Sequence, residues 1–174
     1  MKPLRRGSLI MLLLTLCFVP AALHAQTGIY GEFSAAKVNS PNADWIYGPT
    51  FGVYFDRWHV PVVTAGVDVR GSILGPSGST QLYSGLIGPH LAFRPRVIPI
   101  QPYVEGLVGV GYFNGGAGSG SDTEFEYQFL GGIDLTILPR IDWRLAEFSY
   151  GGLSIFNGTL HPKTISTGVV LRLP

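Results

Sequence analysis

A chain whose apolar residues recur at every second position is committed to strands. The open question is which medium its apolar face meets. Residues 124–137 (EFEYQFLGGIDLTI) carry this pattern most clearly. Phe125, Tyr127, Phe129, Gly131, Ile133, Leu135 and Ile137 share one face, which is apolar and aromatic. Glu124, Glu126, Gln128, Leu130, Gly132, Asp134 and Thr136 share the other, which carries carboxylates. In a soluble barrel or sandwich the apolar face packs on a core. In a membrane barrel it meets lipid.

The N-terminus points to export. Lys2, Arg5 and Arg6 form a basic start, residues 9–19 (LIMLLLTLCFV) a short apolar run, and Pro20 ends it. Ala-Leu-His-Ala at 22–25 has the small residues of a cleavage site, so 1–25 is expected to be a cleavable signal peptide and 26–174 the folded domain. The apolar run is shorter than the roughly 20 residues a spanning helix needs. Cys17, the single cysteine, lies inside this segment after Thr15-Leu16, which does not suit lipidation. The exported domain then holds itself together without disulfides.

Composition narrows the environment. Without Lys2, Arg5 and Arg6 the twelve basic side chains fall to nine, against eleven acidic ones. That balance offers no basic surface for nucleic acid. Charged residues are 13% of the chain, about half the usual 25%. A domain coated by water needs more charge than this, and one coated by lipid does not. No stretch of 26–174 is long and apolar enough to make a spanning helix.

Eight strands are expected, at about 27–38, 47–57, 61–73, 80–93, 100–113, 124–137, 141–153 and 163–173. The connections alternate. Those near 57–60, 94–99 and 138–140 are short, and those at 38–46, 74–79, 114–123 and 154–162 are longer and rich in small polar residues. Up-and-down antiparallel strands place every other connection at one end. Short turns at one end and long loops at the other is the asymmetry of outer-membrane barrels.

The faces agree with this. Val63, Ala65, Val67 and Val69 oppose Thr64, Gly66, Asp68 and Arg70, and Ile165, Val169 and Leu171 oppose Thr164, Ser166, Gly168 and Arg172. If lipid takes the apolar faces, Asp68, Arg70, Glu105, Glu126, Asp134, Arg144 and Arg172 line the interior. Charges in a lumen eight strands wide must pair or stay hydrated. The expected pairs are Arg70 with Glu105, Arg144 with Asp134 and Arg172 with Asp68. Glu147 and Arg144 have opposite parity, so one of them turns outward unless a bulge intervenes. Trp45, Tyr47, Tyr112, Tyr127 and Tyr150 lie toward the long-loop end of their strands, and Trp58, Tyr103 and Trp143 toward the short-turn end. Together they are expected to form two interfacial girdles.

The segment IDWRLAEFSYGG (141–152) followed by ISTGVVLRL (165–173) resembles the last two strands of small eight-stranded outer-membrane barrels, the group of the OmpA membrane domain, OmpX and the opacity-like porins. There an R-x-x-E/D-[YF]-x-Y run precedes a final T/S-x-G-[IV] strand. The likeness covers essentially all of 26–174 and rests on architecture more than on motif. It implies an all-β, eight-stranded, up-and-down antiparallel transmembrane barrel in a bacterial outer membrane. It also implies lipid as the surrounding partner and delivery by the barrel assembly machinery. Members of the group often end in an aromatic residue, whereas this chain ends Leu171-Arg172-Leu173-Pro174.

Chemistry is sparse. The histidines of the exported domain are His59, His90 and His161, and none has the spacing to a serine that a hydrolase of outer-membrane lipid would show. Asp122, Glu124 and Glu126 alternate without completing a calcium loop, and the glycine-rich 114–122 lacks the lysine of a phosphate loop. No catalytic, metal or cofactor site is expected. The expected function is non-enzymatic: a structural or surface-interaction protein, or a very narrow pore with a salt-bridged lumen. Any extracellular partner would meet loops 38–46, 74–79, 114–123 and 154–162. Two alternatives remain at this point, a soluble exported lipocalin-like barrel binding an apolar ligand and a lipid-modifying outer-membrane enzyme.

Overall fold

The computed structural model describes residues 26–37, 45–75, 81–95, 97–114, 121–155 and 158–173. The expected signal segment 1–25 and the central parts of the four long connections lie outside these residues. The described residues form β1 (Gln26–Lys37), β2 (Ile46–Val60), β3 (Val63–Leu74), β4 (Gln81–Phe93), β5 (Ile100–Asn114), β6 (Ser121–Leu138), β7 (Ile141–Ile155), β8 (Gly158–Leu160) and β9 (Lys163–Leu173). β1 to β7 pair antiparallel in sequence order. β9 then pairs with β7 on one side and returns to β1 on the other, from Thr27↔Leu173 to Lys37↔Lys163. The three-residue β8 pairs only with the end of β7 and continues the line of β9. The sheet is therefore closed, with eight staves in up-and-down order, and no edge is left unpaired.

At several ends the strands run further into the long connections than alternation suggests, while β1 and β4 stop one residue short of the expected 38 and 80. Ile46, Leu74 and Asn114 are strand ends, and Ser121 opens β6. β2 continues through Arg57 and His59 to Val60, so the short turn there is Pro61-Val62. At Leu74, Asn114 and Ser121 the adjoining glycine-rich composition reads as loop, and the strand continues into it.

Alternation decides what faces where. Phe33, Phe51, Val104, Phe129 and Phe148 point outward and are exposed, Phe129 at 64%. Asp68, Arg70, Glu105, Glu126, Asp134, Arg144 and Glu147 point inward and are buried. This is inside-out relative to a soluble protein, and a continuous apolar exterior of this extent needs lipid around it.

The interior is filled in layers. At the long-connection end, Ala36, Ile46, Leu74, Leu82 and Leu153 form an apolar cap with Phe113 against it. Below it lie hydroxyls: Ser34 is 2.8 Å from both Thr50 and Ser166, and Thr50 is 3.0 Å from Ser72. The charged side chains follow at mid-height.

Candidate functional site

The mid-height layer is built around two buried guanidiniums from opposite sides of the barrel. Arg144, on β7, is fully shielded from solvent. It donates to Glu32 of β1 at 2.6 Å, to Asp134 of β6 at 3.0 Å and to Glu147 at 3.3 Å. Its guanidinium lies 4.4 Å from the ring centres of both Tyr30 and Tyr103, a cation held between two aromatic faces. Arg70, on β3, grips Glu147 through both terminal nitrogens at 2.7 and 3.0 Å and reaches Glu105 at 3.4 Å. Its Nε donates to the Tyr30 hydroxyl at 3.1 Å, and that hydroxyl donates to Asp68 at 2.8 Å. Tyr103 donates to Glu147 at 2.6 Å. Glu147 thus joins the two arginines.

Glycines give the tyrosines room. A Cβ on Gly52 would overlap the ring of Tyr30, and one on Gly132 the ring of Tyr103. Inward glycine on one strand is the space into which the neighbouring strand's tyrosine lies down.

Toward the short-turn end, His90 Nδ1 is 2.7 Å from Glu105 and its ring stacks on Tyr54 at 4.8 Å. Arg94 pairs with Asp56 at 2.8 Å and also bonds Gln26 and Tyr54. Arg172 pairs with Asp142 at 2.8 Å. Ionic or hydrogen-bonded contacts across the lumen therefore involve every stave. Removing one partner from such a buried set leaves an uncompensated charge, which costs about 3–5 kcal/mol.

Between the hydroxyl and charged layers is a polar cavity of about 10 Å³, room for about one water molecule. Glu126 borders it, buried, with Oε2 unpartnered and with no arginine paired to it among the described residues.

All seven charged side chains expected in the interior lie there, but they do not form one network. Arg70 meets Glu105 and Arg144 meets Asp134, as the alternation suggested. Arg172 meets Asp142 rather than Asp68, because strand stagger puts Asp142 and Arg172 at the same height near the short-turn end. A register shift in β7 between Arg144 and Glu147, where Leu145 and Ala146 oppose the single residue Thr167, turns both charges inward. The Thr167 hydroxyl donates to the Arg144 carbonyl at 2.9 Å, opposite this bulge.

Sequence reasoning missed Glu32, Asp56, Asp142, Tyr30 and Tyr54. Each sits at an inward parity that could have been read from its strand.

The aromatic placements need one correction. Trp45, Tyr47, Trp58, Trp143 and Tyr150 are exposed on the outside, and Tyr112 and Tyr127 are half-buried. Tyr112 lies against Tyr83, and Tyr127 against Phe129, on the outer face. Tyr103 is no girdle residue. It is 3% exposed, inside the lumen between Arg144 and His90. It shares the inward parity of Glu105 and Leu107, and parity overrides its nearness to a strand end.

No protein-family model matches the chain, and no curated protein sequence does. Solved structures do. Neisserial surface protein A, NspA, superposes with a TM-score of 0.62 at 18% identity, covering 86% of this chain and 99% of that one. Ail, the attachment invasion locus protein of Yersinia pestis, gives 0.56 at 12%, covering 87% and 100%. The outer membrane enzyme PagL gives 0.53 at 17%, covering 79% and 97%. An apolar exterior around a closed antiparallel sheet is an outer-membrane arrangement, and the chain has the fold of the small eight-stranded outer-membrane β-barrels.

Proposed function

We propose that the protein is a non-enzymatic outer-membrane scaffold with a closed lumen, which holds its four long connections on the cell surface. The observation that carries this reading is Arg144: fully buried, bonded to carboxylates on β1, β6 and β7, and clamped between two tyrosine rings. A side chain so held does not move aside for ions at low cost. The apolar cap above it and the small size of the cavity beside Glu126 support the same conclusion.

Residues 1–25 serve on this reading as the export signal. The barrel assembly machinery inserts the chain, and an extracellular partner would meet the loops. The non-enzymatic part rests on the hydrogen bonding of the described histidine rings. His90 meets Glu105, and His161 meets the Gly151 carbonyl and the Tyr150 ring; among the described residues no serine or threonine hydroxyl is bonded to either. That leaves PagL as a likeness of fold.

Planar-bilayer recording tests the closed lumen. Wild-type protein should give a quiet baseline, and Glu105→Ala, which loosens both Arg70 and His90, should give openings. Steady porin-like steps from the wild type would overturn the closed lumen.

A further inference from the structure

On the outside of the barrel, the described residues form a groove that departs from a plain lipid-facing surface. It has a volume of about 690 Å³ and crosses β6, β7 and β9. Its floor is Gly131, set in the ladder between Val104 and Phe148. Phe129 and Tyr150, paired in the next rung toward the long connections, wall it. At that end the groove is bordered by Lys37 and Lys163. These two are direct partners in the β1–β9 ladder, both exposed, and neither pairs with a carboxylate among the described residues. Like charges placed opposite each other in a ladder repel. An anion between them reverses that cost. Trp45, which also lines the groove, suits the headgroup level.

An amphiphile with an anionic head and apolar tail matches this arrangement in both charge and depth. The geometry points to a binding site for one acylated lipid of the outer leaflet whose phosphorylated head carries net negative charge, with its phosphate between Lys37 and Lys163 and an acyl chain over Gly131. Lys37 ends β1 and Lys163 opens β9, so both ammonium groups sit where headgroups lie. The groove runs from there toward the middle of the bilayer. This site rests on the proposed orientation, with the long connections outside.

Native mass spectrometry of the folded protein in neutral detergent tests it, with bis-phosphorylated lipid A and phosphatidylcholine as the two probes. Wild type should retain one lipid A and little phosphatidylcholine. The double variant Lys37→Gln/Lys163→Gln should lower lipid A retention about thirtyfold, about fivefold for each lysine near an anionic surface. Gly131→Leu should lower it with both lysines in place. A Cβ there meets only the Tyr103 carbonyl at 3.6 Å and Val104 at 3.7 Å, ordinary contact distances, so the side chain starts into the groove without a backbone clash, and unchanged mobility on unheated gels checks that the barrel is intact. Equal retention of the two lipids, or unchanged retention in either variant, would overturn the site. A wild-type protein that keeps its barrel mobility on unheated gels but shows no lipid preference would refute this inference alone. Loss of that mobility would instead refute the membrane barrel.

Discussion

Arg144 gathers most of its stabilisation from geometry rather than from charge alone. Removing a guanidinium from water costs several kcal/mol, and only a full set of hydrogen bonds repays it. Three carboxylates and two aromatic faces supply that set. Arg144→Met keeps volume but strands Glu32 and Asp134, and should lower stability by about 3–5 kcal/mol in urea unfolding from lipid vesicles. Tyr103→Phe removes one donated hydrogen bond to Glu147 and keeps the ring over Arg144. Its cost should be smaller, about 1–3 kcal/mol. Equal midpoints for the two variants would mean that the guanidinium is held by packing and not by its ionic partners.

At the scale of the strand, β7 shows how one extra residue rewrites a face. Arg144 and Glu147 both point inward because Leu145 and Ala146 share one place in the ladder with β9. The bulge interrupts the backbone ladder between β7 and β9, and the Thr167 hydroxyl donates to the Arg144 carbonyl there. Thr167→Val should therefore cost about 1–3 kcal/mol in the same unfolding measurement, the price of an unsatisfied carbonyl, while Thr167→Ser should be close to wild type. Alternation made the strands and their faces legible in the sequence, because a period of two is a local property. It assumes an unbroken period, so it left Glu147 undecided. Arg172 and Asp142 come together through the stagger between strands, a property of the closed sheet. Tyr103 differs for another reason: nearness to a strand end suggests a girdle, but its parity with Glu105 and Leu107 puts it inside.

For the molecule as a whole, the inverted distribution of polarity separates a membrane barrel from a soluble one. Phe129 and Phe148 are 64% and 60% exposed, while Asp68, Arg144 and Glu147 are at most 1% exposed. A soluble lipocalin-like barrel has the reverse arrangement. The protein should fractionate with membranes and migrate faster on unheated than on boiled SDS gels. A soluble fraction without a mobility shift would contradict the fold's membrane setting. The sequence carries this inversion in its scarcity of charge and its apolar strand faces.

The ion contacts across the lumen also constrain how the barrel can come into being. Glu32 lies on the first strand and its guanidinium partner Arg144 on the seventh, 112 residues later. The first and seventh strands become lateral neighbours of the same stave only when the last one slides between them. A sheet still open at that seam would leave the Glu32 carboxylate without its guanidinium, while Arg144 would keep Asp134 on the neighbouring strand and Glu147 on its own. Closing the seam with the last strand is thus the step that gives this carboxylate its counter-ion, and an unpaired carboxylate at that depth is costly in a membrane.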